Sequence, residues 1–552
     1  MAWQRYIKRA LGIVVVLALF LTLDNIWQMW VERRIPIGYA TTRVTGPLRP
    51  DGTVNYRLAL DAIEFRGVTP ANNAVIPLLH ALGTGREVLG VAANRRSALR
   101  RLGMKPLAAK ATRFVNCWNF SKEVLSGTAA PAQRRVIRNR MEQHSWPPDA
   151  VQRMPWRPVD HPHAAEWIKL NRRAMYWALI ASTRSQYAMP VALPSRDPDI
   201  GDRNLLTSGL MPWLAEYREL GSLMVARAME DLGQHHVAAC EHILLALHRL
   251  ARLEACDPRL IARLVAMSVD ALAQRGDQAV AADGRLTRAQ AQAYHKALAA
   301  LPPFPSLAAA INLGWRFDQL DMVAAFASGR APQVVPQIEI TPAIRIGVPI
   351  NYGRIARRIN HWCDRMVKAL DRPTYLAQAA AVTRIVRSGR KLQSNFTLSP
   401  TVAIADELLR GYDSVFLDLA GLAGRHTVQS RITTVALALA AYHARHGTYP
   451  RKLLRLVPKA LSHVPRDPFT GKAIGYRREG NGYLLWSIGP PPTWHGVWSI
   501  APPPTWHGAK RRPIRFIVGE TGTSSKPKGS GSLEGHNKND VEPRPVSDGL
   551  AR

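Results

Sequence analysis

The longest uninterrupted apolar run, "LGIVVVLALFLTL" from Leu11 to Leu23, follows a short segment carrying Arg5, Lys8 and Arg9. Taken alone, the run has the length of a signal-peptide hydrophobic region. No small-residue cleavage site follows in "DNIWQMWVERR". With Asp24 held near a boundary, the apolar span continues through Trp27, Trp30 and Val31. That makes about 20 residues, enough to cross a bilayer, with tryptophans at interfacial depth. Residues 11–31 are therefore expected to form an uncleaved transmembrane signal-anchor behind a basic tail, 1–10, and the lipid bilayer is the first expected partner. The positive-inside bias places the tail inside and the bulk of the chain outside, with Arg33 and Arg34 reducing the contrast. "ITTVALALAAY" at 432–442 is too short to span and reads as a core helix.

After a Pro/Gly/Arg-bearing linker, 32–52, the apolar positions fall into helical periods through 53–330. "NNAVIPLLHALG" offers Asn72 or Asn73 as an N-cap and Gly83 as a stop. Residues 84–160 are Arg-rich and broken by "SGTAAPAQ" and "SWPPDAVQRMPWRPVD", so short helices in irregular chain are expected there. Residues 214–254 read as two apolar-periodic helices joined at "DLGQ", with Gly233 at the turn. This pair resembles one tetratricopeptide hairpin, with Ala226, Gly233 and Ala238 at the small-residue positions of close approach. The aromatic and proline positions of that repeat are unmatched, and no 34-residue period is sustained. Pro332, Pro336, Pro342 and Pro349 mark 331–350 as a linker, and a further helical segment occupies 351–425. Residues 519–552 hold almost no large apolar residues and are expected to be a disordered tail.

Residues 426–518 have a different texture. "TVQSRITTVALALAAYHARHG" is a helix ended by Gly447, followed by a loop and short helix punctuated by Pro450, Pro458 and Pro465. In "RDPFTGK", Asp467 caps a turn that Pro468 pre-sets, and Gly471 supplies a permissive φ. "AIGYRRE" and "GYLLWSI" then read as two strands joined through Gly480-Asn481-Gly482, with the turn expected at Asn481-Gly482. The succession of helix, "HGTYP", "LVPKAL", "DPFTGK", "YRREGNGY" and "SIG" resembles the globular part of type II secretion pseudopilins. It covers about 60 residues, and it implies a helix against a small antiparallel sheet, in a large bacterial membrane-anchored protein. The prepilin cleavage motif is not present at the amino terminus. No Asp or Glu lies between Glu479 and Glu520, where the family's calcium-binding loop would be, so that site is not carried over. In its place "WSIGPPPTWHGV" (486–497) repeats as "WSIAPPPTWHGA" (498–509). This reads as a loop-lengthening duplication in preference to a Trp/Pro docking surface.

Composition modifies this picture mainly through charge. The 552 residues carry a net charge of +34, which favours acidic partners. The arginines are scattered over helical segments without interleaved aromatics or a nucleic-acid module, so weak, non-specific polyanion binding is expected. Cys117, Cys240, Cys256 and Cys363 are too dispersed for a disulfide framework and read as buried thiols. No P-loop, HExxH, GxSxG or dinucleotide loop occurs. "HHVAACEH" places His236 and Cys240 on one helical face, with His235, Glu241 and His242 nearby, and reads as packing in preference to a metal site. In "HWCDRM", His361 and Cys363 point to different faces, beside Asp364. No catalytic, cofactor-binding or metal residue and no cofactor is nominated. The expected fold is mostly α with a small α+β carboxyl-terminal module. The expected function is that of a non-enzymatic scaffold or docking protein of the bacterial inner membrane, largely extracytoplasmic, with an unknown protein partner among envelope or secretion components. An envelope enzyme with dispersed catalytic residues and an anchored protein binding nucleic acid or anionic lipid are the alternatives.

Overall fold

The computed structural model describes residues 35–107, 114–121, 149–191, 205–206, 211–330, 350–394, 413–487, 489 and 514–518, with isolated helical positions between 12 and 23 and between 401 and 409. The chain is mostly helical, with a small antiparallel sheet near the carboxyl end. Helices α1 (Tyr56–Glu64), α2 (Val75–Leu82), α3 (Arg86–Leu89), α4 (Ala92–Leu102), α5 (Cys117–Phe120), α6 (Asp149–Arg153), α7 (Pro162–Leu170) and α8 (Arg172–Ser182) form the first part. The long helices α9 (Trp213–Gly233), α10 (Val237–Glu254), α11 (Leu260–Ala282) and α12 (Arg288–Ala299) follow. Then come α13 (Leu307–Ala310), a π-helical turn (Ile311–Trp315), α14 (Arg316–Ala327), α15 (Tyr352–Leu370), α16 (Tyr375–Ser394) and α17 (Asp413–His446).

Most of the expected anchor, 11–31, lies outside the described residues, as do the linker 331–349, the duplicated loop 490–513 and the tail 519–552. Within 12–23 the described positions are helical, and Val15, Val16, Leu19, Phe20 and Leu23 are all exposed. Among the described residues no helix is long and apolar enough to cross a membrane.

α9, α10 and α11 pack mutually, and α17 lies against α11, α12 and α16. Every residue from Val435 to Ala441 is buried. A run of that length covers the full circumference of a helix, so α17 has no solvent stripe there and is a central rod of the core. Val428, Ile432 and Val435 of α17, and Tyr483 and Leu485 of the sheet, belong to one apolar cluster with Leu78, Trp167, Leu223, Leu244 and Val269. The carboxyl-terminal segment therefore shares its core with the preceding helices. Its helix is apolar on every side because the preceding helices cover it. A second cluster joins Tyr56 and Leu60 to Trp315, Phe317, Ile359, Trp362 and Phe416.

The sheet has the order β1-β2-β3, with β1 (Gly475–Glu479) and β2 (Gly482–Ser487) pairing Glu479 with Gly482. The connecting turn is Gly480-Asn481, and Gly480 carries the positive φ of 53°. The expectation placed that role on Asn481-Gly482, but the register makes Gly482 the first residue of β2. β3 (Ile514–Val518) flanks the other edge of β2, making the buried "GYLLWS" strand central. Gly475 faces Trp486 across the first pair, where a Cβ would meet the indole at 2.2 Å. The "RDPFTGK" turn has the expected chemistry: Phe469 N donates to Asp467 Oδ1 at 2.8 Å, and Gly471 adopts φ 71°. Ser487 Oγ donates to the other Asp467 oxygen at 2.9 Å, tying the turn to β2.

The α9–α10 hairpin exists at the expected place, but its chemistry differs. His235, not Gly233, takes the left-handed conformation, with φ 68°. A Cβ on Gly233 would lie 2.0 Å from the carbonyl oxygen of Trp156, so glycine serves a close backbone approach. Ala226 is fully buried, whereas Ala238 is exposed and contributes no small-residue contact. Asn73 precedes α2, its side-chain oxygen accepting from Val75 N and Ala188 N, both at 3.1 Å.

Candidate functional site

Among the described residues, the densest polar constellation is buried at the seam between α10, α11, α12 and α17. α11 is apolar around most of its circumference, yet Asp270, Gln274, Asp277 and Gln278 recur at helical spacing along one side. Opposite them, α10 presents His248 and Arg252 one turn apart. His248 is clasped between two carboxylates: Nδ1 lies 2.7 Å from Asp270 Oδ1 and Nε2 lies 2.9 Å from Asp277 Oδ2. Arg252 Nη1 donates to Asp270 Oδ1 at 2.8 Å, and Tyr294 of α12 donates to Asp277 Oδ1 at 2.5 Å. α17 contributes His426, whose Nε2 lies 2.7 Å from Asp270 Oδ2. Gln274 Nε2 donates to the same oxygen at 2.6 Å. Two turns further along α17, Thr433 Oγ1 accepts from Gln278 Nε2 at 3.0 Å.

The electrostatics follow from this clasp. Burial by itself would lower the His248 pKa, but Asp277 and Asp270 outweigh it and hold the imidazole up to about 9. Burial would raise Asp270, yet His248, followed by His426, keeps it well below the usual carboxylate range. The doubly bonded imidazolium has no free lone pair, and His248 is only 3% exposed. A general base needs a free nitrogen and space for a reacting atom beside it. This arrangement is therefore a structural lock. It fixes the rotation of α17 against α10–α12 with ion pairs and hydrogen bonds that depend on direction.

A second buried group lies at and just beyond the carboxyl-terminal end of α10. Arg259 forks onto Asp257, with Nε donating to Oδ1 at 2.8 Å, and its guanidinium sits 5.0 Å from the Trp213 ring centroid. Fully buried Glu254 is pushed up, first by burial and then by Asp257, which favours its protonated form. A third group surrounds Arg316 on α14, which donates to Asn360 Oδ1 at 3.0 Å and Asp364 Oδ1 at 2.7 Å.

The residues singled out in the sequence do not converge. His235 Nε2 lies 3.1 Å from Arg285 Nη1, His236 lies 3.8 Å from Asp231, His242 is exposed and Cys240 is wholly buried. Glu241 is raised to about 7 by burial and then by Asp277. Among the described residues no group of histidine, cysteine, aspartate and glutamate is arranged to hold a metal ion. Cys117, Cys240 and Cys363 are buried thiols, whereas Cys256 is exposed. His361 is exposed, while Cys363 is buried and Asp364 faces Arg316. The lock residues His248, Asp270, Asp277 and His426 were missed by motif reading. The available signal was the polar stripe on an otherwise apolar α11, since a polar stripe between two apolar faces must find buried partners. Comparison of the chain with protein-family models, with curated proteins and with solved structures found no match.

Proposed function

We propose that this chain is a membrane-anchored scaffold of the bacterial envelope, with its bulk outside the cytoplasm. In this reading a helical platform holds a pseudopilin-like carboxyl-terminal module as a fixed docking face and carries out no chemistry of its own. The observation that supports it is the enclosure of α17, buried on every side from Val435 to Ala441 and locked through His426 and Thr433. A helix that assembles with other copies of its chain must keep a face free for them. Here its packing surface is already occupied by α11, α12 and α16. Exposed on the module are Leu454, at 70%, and Arg451, Arg455, Arg477 and Arg478, with Arg477 paired to Glu479. Exposed apolar and arginine side chains are an ordinary composition for a protein-docking surface. The exposed apolar side chains of the helical positions between Val15 and Leu23 agree with a lipid-facing segment.

A phosphatase reporter fused after residue 518 is expected to be active only outside the cytoplasm. Cysteine placed at Leu454 or Arg478 and cross-linked in intact cells is expected to give one discrete heteromeric adduct. A ladder of homopolymers joined through residues 413–446 overturns the scaffold reading, and reporter activity confined to the cytoplasm overturns the placement.

A further inference from the structure

The buried group at the carboxyl-terminal end of α10 lies where the two apolar clusters meet. Trp213, Tyr217, Tyr187 and Leu250 belong to the first cluster, and Tyr56, Leu60 and Phe317 to the second. Four carboxylates surround Arg259 there: Glu64 closing α1, Glu254 closing α10, Asp257 just beyond it and Asp318 on α14. Arg259 is committed to Asp257 through its fork, and its Nη2 also donates to the Met189 carbonyl at 3.2 Å. Glu254 is fully buried. None of the oxygens of Glu254 and Glu64 lies within ordinary hydrogen-bond distance of a donor, although Tyr187 and Trp213 face Glu254. The indole N–H of Trp213 and the hydroxyl of Tyr217 are buried and likewise lack a close partner.

A buried carboxylate is stable as an anion when several donors or a matching cation reach it. Fully ionised, Glu64, Glu254, Asp257 and Asp318 would outnumber the guanidiniums of Arg259 and Arg263, the latter reaching in from α11 toward Asp257 and the Cys256 thiol. The neighbouring carboxylates are matched, Asp61 by Arg101 at 2.7 Å and Asp321 by Arg49 at 3.1 Å. The unmatched ones therefore favour the neutral acid. Burial and then Asp257 push Glu254 up to about 8, and burial and then Asp321 push Asp318 up to about 8. Glu64 is raised well above the usual carboxylate range, first by burial. Tyr187 and Tyr217 stay protonated, raised by burial and then by Glu254.

We propose that this seam is a proton-operated joint: with Glu254 and Glu64 protonated the two cores are held together, and release of those protons to solvent parts α1 from α9 and α10. The ionised pair would repel each other and Asp257 in a setting that solvates none of them well, and opening admits the water they need. The joint works wherever the chain resides, so it stands apart from the scaffold reading. An acid whose pKa is raised in the closed form supports that form fully at low pH and withdraws its support as pH rises. For Glu254 alone, an open form with an ordinary glutamate gains up to about tenfold per pH unit above about 4.5 and levels off above about 8. Between pH 6 and pH 8 that amounts to about 50-fold.

The test follows the full-length protein in a neutral detergent by hydrogen exchange at roughly pH 6, 7 and 8, with rates corrected for the intrinsic pH dependence of amide exchange. In the unmodified protein, protection over residues 56–64 is expected to fall by about 50-fold or more across that range, and these amides open more readily than those of 428–441. Glu254→Gln keeps the shape of the neutral acid and cannot ionise, so its protection over 56–64 is expected to fall at least about tenfold less. Glu166→Gln removes an exposed carboxylate of α7 and is expected to follow the unmodified protein. The same fall with pH in Glu254→Gln as in the unmodified protein overturns the proposal. So does a result that needs no variant: residues 56–64 and 428–441 opening at one common rate at every pH, which would show a single cooperative unit without a joint.

Discussion

Asp270→Asn isolates the charge of the α11–α17 lock while keeping the shape of the side chain. In the folded protein the Asp270 carboxylate receives His248, Arg252, His426 and Gln274 at 2.6–2.8 Å. The amide leaves His248 with Asp277 alone and removes the anion facing Arg252 inside the seam. Breaking a buried ionic cluster by removing one partner costs about 3–5 kcal/mol, because the remaining charge stays desolvated. The pH dependence carries a sharper signature. His248 is raised to about 9 in the folded state, against about 6.5 for a free imidazole. A pKa raised on folding contributes stability that is fully present below the unfolded value and is lost as pH rises through the folded one. That contribution is about 3 kcal/mol, shared between the two carboxylates, so Asp270 accounts for roughly 1–2 kcal/mol of it. The gap between unmodified protein and variant is thus expected to narrow by that amount as the pH is raised from about 6 to above 9. Urea unfolding followed by tryptophan fluorescence, with hydrogen exchange read over residues 428–441, measures both quantities. A loss below about 1 kcal/mol at the lower pH, or a gap that does not change with pH, would refute the lock.

Gly233→Ala is expected to destabilise the α9–α10 hairpin by about 3 kcal/mol, since the added methyl meets Trp156 backbone at 2.0 Å and backbone yields poorly. Near-native urea midpoints for that variant would refute the close-approach reading. Gly480→Val is expected to cost about 1–2 kcal/mol, with Gly480→Asn much milder, because a β-branched residue is poorly accommodated at φ 53° while asparagine tolerates it. Hydrogen exchange across residues 475–487 separates the two variants. Thermal unfolding of the unmodified protein is expected to show its stability falling on the alkaline side, because Glu254 and His248 both carry raised pKa values and both lose their contribution as pH rises. A midpoint that climbs from neutral to alkaline pH contradicts this.

Helices and the hairpin could be read from the sequence because their signals are local. Periodic apolar positions give α9 and α10, and "RDPFTGK" with alternating "GYLLWS" gives a turn and a strand. The position of the hairpin turn was off by one residue, since Gly480 and Gly482 are equally permissive in isolation and only the Glu479–Gly482 pairing decides between them. β3 escaped because Ile514–Val518 pairs with β2 across 26 intervening residues, a distance over which no local pattern acts. The burial of α17 was also hidden. "TTVALALAAY" shows that the helix is apolar on many sides, but not whether other helices of the same chain cover it. His248 and Asp270 are 22 positions apart, and His426 a further 156, so the lock had no compact motif to find.

Placing the central rod of the core late in the chain has a cost during synthesis. α9 to α12 are complete by Ala299, but the helix that fills the space between them ends only at His446. At translation rates of about 5–20 residues per second, the intervening stretch takes roughly 7–30 s to emerge. Throughout that interval the inner faces of α11 and α12, together with the Asp270 carboxylate, wait without α17. An unfilled apolar trough of this kind is transiently exposed surface of the sort that chaperones cover on a nascent chain. The folding of this chain is therefore paced by the arrival of α17, and truncations before residue 446 are expected to aggregate instead of yielding a shorter stable protein.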